Sequence, residues 1–335
     1  MTSPTSQEIA EAAALLRAGE LVAFPTETVY GLGADAENPA ALAKIFAAKG
    51  RPADHPLIIH LPGIEHLSRW ARDIPGTALA LADAFWPGPL TLILERTAIV
   101  PDAVTGGQST VGLRVPDHPV ALALLSAFGG GIAAPSANRY GRISPTTAGH
   151  VRDELGDRVS MVLDGGACEI GIESTILDLS RGSPVLLRPG AIGADRIAVV
   201  CGQAPALPAS QQRQPAPRVS GSHSAHYAPT TPLRIVASDR LQDYLDAQQH
   251  AGLCCAVLAR SRATPAGSPH RWRMMSSDPV GYAHDLYAVM RDFDAASVKL
   301  IVVEAPPGGE GWQAVADRLQ RASAGSGMDA DDDRL

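Results

Sequence analysis

Lys49 and Arg51 stand two residues apart in the stretch KGRPADHPL, between a helical pattern and an apolar run. A lysine at that joint suits the negative end of a helix. Arg51 fits this less well, because it lies beyond the breaker Gly50. Two cations outside a regular element suit a phosphate clamp, one as a point charge and one as a planar fork. Other polar groups gather at the ends of apolar runs. PTETVYGLG (25–33) sets Thr26, Thr28 and Tyr30 at alternate positions, which face one way if the backbone is extended. Gly31 and Gly33 allow a sharp turn or a close approach to a ligand. TVGLRVPDHP (110–119) places Arg114 within an apolar strand, where it needs a core acid or a ligand carboxylate. GGGIAAPSANRYGRISPT (129–146) passes from a strand into a loop bearing Ser136, Asn138 and Ser144, suited to a polar ligand or to an ordinary capped loop. GIESTILDL puts Ser174 and Thr175 at a strand start, and LLRPGAIG ends a strand at Arg188.

These groups need a frame. Short apolar runs at 21–26, 56–61, 90–95, 111–116, 131–136, 161–166, 174–179 and 185–190 have the length and Gly/Pro boundaries of strands. Helical patterns lie between them. In NPAALAKIFAAKG, Asn38 caps, Pro39 suits the first turn and Gly50 ends the helix. GTALALADAF and HPVALALLSAF are further helices. The pattern predicts an α/β fold over residues 1–201, a large twisted mixed sheet with packed helices. Residues 202–230 turn rich in Pro, Gln and Ser and read as a linker. Strands and helices then alternate over 231–325, predicting a small Rossmann-like parallel α/β domain. Residues 326–335 form an acidic tail, expected to be disordered.

Composition excludes several classes. The 335 residues suffice for two domains, and the net charge of −7 argues against broad nucleic-acid binding. Cys168, Cys201, Cys254 and Cys255 form no CxxC pair, and adjacent Cys254 and Cys255 read as core residues of a cytoplasmic protein. The N-terminus lacks the basic and apolar regions of a signal peptide, and no apolar run approaches the ~20 residues of a membrane span. There is no G-x-x-x-x-G-K-[ST] loop, no G-x-S-x-G elbow, no H-E-x-x-H helix and no metal spacing among the histidines. No side-chain nucleophile suggests itself.

Taken in order, PTETVYGLG, KGRP with HPLIIH, WPGPLT, GLRVPDHP, APSAN with SPT, GIESTI and LLRPGAI resemble the YrdC-type domain of threonylcarbamoyl-AMP synthases, over roughly residues 8–200. The unit after HYAP (226–229) is similar to the C-terminal domain of that family's long form. The resemblance implies a nucleotidyltransferase that condenses L-threonine, bicarbonate or carbon dioxide and ATP, with Mg²⁺ accompanying the ATP. Downstream proteins would carry the threonylcarbamoyl group to tRNA, so tRNA binding here would be weak or absent. It implies threonine contacts at Thr28, His60, Arg114, Ala134 and Ser174. It implies ATP contacts at Arg51, His55, Thr110, Ser136, Asn138, Ser144, Arg188 and Tyr227, with Lys49 and Arg51 as the catalytic cations. The linker and Tyr227 would form a lid. Two departures stand out: His55 replaces the family's more usual Asn before Pro-Leu, and SGSHSAHYAP lacks the Pro-Gly-Met often found there. One alternative is a double-stranded RNA-binding or regulatory protein using the same concave sheet. Another is a hydrogenase-maturation carbamoyl-transfer enzyme, whose zinc-finger and acylphosphatase portions this chain does not supply.

Overall fold

A computed structural model of the chain describes residues 4–207, 216–221, 224–296 and 298–327. Parts of the expected linker (208–215, 222–223) and most of the acidic tail (328–335) lie outside these residues. Residues 1–140 and 144–222 make one compact unit, and 141–143 with 223–335 make a second.

The first unit carries strands β1 (Val22–Phe24), β2 (Gly31–Asp35), β3 (Ile58–His60), β4 (Leu90–Glu95), β5 (Thr110–Arg114), β6 (Ile132–Ala133), β7 (Met161–Val162), β8 (Thr175–Asp178) and β9 (Val185–Arg188). They form a mixed sheet in the order β7-β1-β2-β6-β3-β5-β4-β8-β9. Successive side chains on a strand face opposite ways, and this alternation sorts the core into two layers. Ala23, Leu32, Ala133, Ile59, Leu92, Leu113 and Leu177 pack on one face beneath the helices Pro39–Lys49 and Gly76–Phe85. Val22, Phe24, Ile132 and Ala134 pack on the other face against the helices Ser6–Arg17 and Pro119–Phe128. Those two helices cover only the β7-β1-β2-β6 half of that face. Over β3-β5-β4-β8-β9, Ile58, Ile93 and Ile176 meet Val219 of the linker instead. Among the described residues of this unit, no helix covers that half of the face.

The helix Pro39–Lys49 is built as its sequence requires. Asn38 Oδ1 accepts the backbone N–H groups of Ala40 and Ala41, and Gly50 closes the helix in the left-handed region at φ 62°. Gly31 and Gly33 differ from expectation, because they lie in strand β2 and make no turn. A Cβ at Gly33 would sit 2.9 Å from both Ile132 Cγ2 and Phe24 Cε1. Close packing of neighbouring strands against the Phe24 ring is what requires glycine there.

The second unit carries β10 (Leu233–Val236), β11 (Ala256–Ala259), β12 (Arg271–Met274) and β13 (Ile301–Glu304), all parallel, in the order β10-β13-β11-β12. Its helices span Leu241–His250, Pro279–Ala295 and Gln313–Gly325. No apolar run marks β12, since Arg271, Arg273 and Met274 of this edge strand are exposed. Cys255 is buried, but Cys254 is exposed, contrary to the reading of both as core.

Candidate active site

The uncovered half-face is polar at both ends, and the strand register decides which residues share it. His60 at the end of β3 lies opposite Arg114 at the end of β5. In the antiparallel β4 pairing Leu92 meets Leu113, which brings Thr91 to the same end. Parallel pairing of β4 with β8 aligns Leu90 with Thr175, so Ser174 joins them. Arg188 reaches this face through an irregularity. The β8–β9 register shifts between Ile176 and Leu177, so that Leu186 pairs with Leu177 on the helix-covered face while Arg188 pairs with Ile176 on the open one. Without that bulge Arg188 would point with Leu186 into the core.

At this end the side chains are buried and interlocked. Arg188 donates from Nε to the Ser174 carbonyl at 3.0 Å and from Nη2 to Ser174 Oγ at 3.1 Å. Ser174 Oγ lies 2.8 Å from Thr91 Oγ1. Arg114 donates from Nε to the Gly88 carbonyl at 3.2 Å, and its Nη2 lies 2.6 Å from Glu27 Oε1. The latter contact is an ion pair by distance but misses hydrogen-bond geometry, and among the described residues no hydrogen bond reaches either Glu27 oxygen. The acid that meets Arg114 is thus a glutamate from the β1–β2 connection. Burial, then the Arg114 charge, lowers the His60 pKa to about 3, so the imidazole is neutral at neutral pH. Thr28 is fully buried beside Glu27, and its Oγ1 lies 2.9 Å from Thr26 Oγ1. Thr26 also bonds to Val29, which bends this stretch out of the extended form that would have aligned Thr26, Thr28 and Tyr30. Tyr30 instead donates to the Gly166 carbonyl at 2.7 Å.

The other end lies at the start of β3 and β5. Both opening cations point inward: Lys49 is 3% exposed and Arg51 is 7% exposed. Lys49 Nζ donates to the carbonyls of Ser136 and Asn138, pinning the SAN loop, and Arg51 Nη2 donates to the Pro56 carbonyl at 2.8 Å. Burial, then the neighbouring Arg51 charge, pushes the Lys49 pKa well below its ordinary value. An arriving anion would relieve that repulsion. His55 stands edge-on to Tyr140 with ring centroids 5.3 Å apart. The amide of Ala134 donates to the Ile58 carbonyl at 2.9 Å, and Gly31 bridges to Ser136. Ser144 Oγ donates to Glu173 Oε1 at 2.5 Å, tying this loop to the residue preceding Ser174. Thr110 and Gly112 line a cleft with Ile58, Ile93 and Ile176.

The linker closes that cleft from above. Arg218 pairs with Asp54 at 3.2 Å, donates to the Gly106 carbonyl at 2.8 Å, and exchanges backbone bonds with the Gln108 side chain. Arg188 Nη1 donates to the Ser220 carbonyl at 2.9 Å. Arg218, Gln108, Glu27 and Glu173 were not singled out from sequence. Glu27 and Glu173 sit inside quoted motifs directly before Thr28 and Ser174, and an acid immediately preceding a hydroxyl residue was the available signal. The structure therefore gathers Thr28, His60, Arg114 and Ser174 with Arg188 at one end. Lys49, Arg51, His55, Thr110, Ser136 and Asn138 gather at the other. Tyr227 belongs to the second unit. There its ring packs against Tyr287 with centroids 5.8 Å apart, and Arg318 lies 5.2 Å from its centroid.

Comparisons with known proteins agree with this architecture. A family model described as "Telomere recombination" matches residues 14–190, and one described as "Threonylcarbamoyl-AMP synthase, C-terminal domain" matches residues 192–324. A threonylcarbamoyl-AMP synthase of Bacillus subtilis is 42% identical over 96% of this chain and 95% of its own length. That of Pyrococcus abyssi is 39% identical over 93% of each. A crystal structure of P. abyssi Sua5 complexed with L-threonine superposes with a TM-score of 0.89 at 37% identity, covering 97% of this chain and 96% of that one. The chain belongs to the threonylcarbamoyl-AMP synthase family.

Proposed function

We propose that this protein condenses L-threonine, bicarbonate or carbon dioxide and ATP into threonylcarbamoyl-AMP, releasing pyrophosphate. The observation that carries this reading is one half-face of the first sheet with a buried guanidinium at one end and a lysine–arginine pair at the other. An amino acid held at Arg114, His60 and Ser174 presents its amine towards the middle of that face. Thr28 bounds the same end, and in this reading Ala134 approaches it from the start of β3, where its amide bonds to the Ile58 carbonyl. A nucleotide held at Arg51, His55, Thr110, Ser136, Asn138 and Ser144 presents its α-phosphate from the other side and reaches across to Arg188 at the amino-acid end.

The barrier is largely electrostatic. The threonine amine adds to carbon dioxide with loss of a proton, or to bicarbonate with loss of water, to become a carbamate, and the carbamate oxygen displaces pyrophosphate from the α-phosphorus. Two anions must meet. Unit like charges 4 Å apart repel by about 1 kcal/mol in water and about 4 kcal/mol at an effective dielectric of 20. Lys49, Arg51 and Arg188 offset that repulsion, and the rigid strand ends supply alignment. The substrate brings its own nucleophile, which accounts for the lack of a candidate one in the chain. Mg²⁺ bound to the ATP phosphates would supply further charge neutralisation beside Lys49, Arg51 and Arg188.

The linker fits the role of lid, because Ser220 already rests on Arg188. The product passes to tRNA-modifying transfer proteins in the cytoplasm, where ATP and tRNA are available. Among the described residues no helix is long and apolar enough to cross a membrane. The test is pyrophosphate release from ATP with threonine and bicarbonate added or omitted, and with serine as competitor. Release requiring both is expected; release without threonine would overturn the reading.

A further inference from the structure

Glu27 and Arg114 form a buried pair, 3% and 4% exposed, at the end of the site assigned to the amino acid. Arg114 has three edges to offer. Nε is taken by the Gly88 carbonyl and Nη2 by Glu27, while Nη1 makes no hydrogen bond among the described residues. Glu27 is unusual for a buried acid. Both of its oxygens are enclosed, yet neither receives a hydrogen bond from backbone or hydroxyl. Such a carboxylate is poorly furnished for a purely structural task, since satisfied acids in protein interiors collect several donors. Its one strong partner is the charge of Arg114. It does not aim Arg114 alone, because the Gly88 carbonyl already fixes the guanidinium plane.

We propose that Glu27 is a resident counter-carboxylate for Arg114. In the ligand-free protein it balances the guanidinium that receives the amino-acid carboxylate, and so it limits how tightly the site holds any carboxylate. This rests on the assignment of Arg114 to the amino-acid substrate. Glu27 is a positioning residue in this scheme and touches no reacting atom. Without it, Arg114 would carry an unbalanced buried charge and would seize a carboxylate more strongly. Tighter ground-state binding of that kind lowers KM without raising kcat. Glu27 thus tunes affinity downward, keeping the site able to fill and empty.

The test uses the full chain, wild type and Glu27→Gln, in chloride-free buffer. Calorimetry measures L-threonine and L-threoninol, which lacks the carboxylate, and pyrophosphate release gives KM and kcat. The substituted amide keeps the shape of the side chain and removes its charge. Threonine is expected to bind at least about fivefold more tightly to the variant, with threoninol unchanged, KM for threonine lowered and kcat not raised. Equal or weaker threonine binding by the variant, with normal binding by the wild type, overturns the proposal, as does an equal gain for threoninol. If wild type itself binds no threonine, the function reading fails, and the proposal with it. Should Glu27→Gln not fold, Glu27→Asp draws the carboxylate back from Arg114. It is expected to bind threonine more tightly than wild type, and weaker or equal binding overturns the proposal.

Discussion

Two buried acids, one in each unit, meet arginine in opposite ways. Glu304 ends β13 in the second unit and is fully buried. It accepts the backbone N–H groups of Arg260 at 2.6 Å and Ser261 at 2.9 Å, and the Ser261 hydroxyl, while Arg260 Nη2 stands off at 3.9 Å. Burial pushes its pKa up, but hydrogen bonds from Ser261 and the two amides outweigh that and hold it at about 2. Glu27 has the reverse arrangement, an arginine at 2.6 Å and, among the described residues, no hydrogen bond. An acid saturated by local backbone locks a loop. One that answers only to a guanidinium leaves that guanidinium negotiable. The first sheet therefore carries exchangeable charge at its strand ends, and the second carries charge already committed.

The contrast can be broken in several ways. The largest effect concerns catalysis. Arg51→Ala should lower kcat/KM by about 10²-fold or more, the scale of losing a preorganised donor to developing charge. His55→Ala should cost less, and the reverse order in pyrophosphate-release kinetics would mean the phosphates are misplaced. Next, Arg114→Ala leaves Glu27 buried and unpaired, which should cost about 3–5 kcal/mol in urea unfolding of the first unit. Arg260→Ala should cost much less, because Glu304 keeps its hydrogen bonds. Similar losses would erase the distinction.

Acid should separate the units further. His60 has a folded pKa near 3 against 6.5 ordinarily, so the unfolded chain binds more protons between those values. Its contribution is complete above pH 6.5 and fades as pH falls towards 3. Glu304 is a carboxylate with a lowered pKa, so its contribution is complete above 4.5 and fades as pH falls towards 2. The first unit should begin to weaken at the higher pH, and His60→Gln should flatten that part of its unfolding profile. Gly33→Ala should cost about 1–3 kcal/mol through overpacking against Phe24 and Ile132, a loss a thermal melt would register. Smallest of all, Lys44→Ala removes an exposed pair with Glu20 and should leave the thermal melt essentially unchanged.

Much of the fold was legible because buried strands and capped helices leave apolar runs with clean boundaries. Leu90–Glu95 appears as expected to the residue, and so does the helix from Pro39 to Lys49. β2 was missed because its glycines mimic a turn, and whether a glycine bends the chain or admits a neighbour depends on what packs above it. β12 was missed because an edge strand need not be apolar. Among site residues, charged and hydroxyl groups at strand ends could be named in advance. Their partners could not. That Arg114 meets Glu27, and that Arg188 faces the open side, depends on long-range register and on a bulge with no local signature.

Arg188 holds one last implication. The same guanidinium grips Ser174 on the amino-acid side and the Ser220 carbonyl of the linker. A phosphate that engages it must share or displace one of those grips. If nucleotide binds as proposed, its arrival would be felt at once at Ser174 and at the overlying strap, through a single side chain. Filling order and strap closure would then be one mechanical event, and a mutation at position 188 should uncouple them.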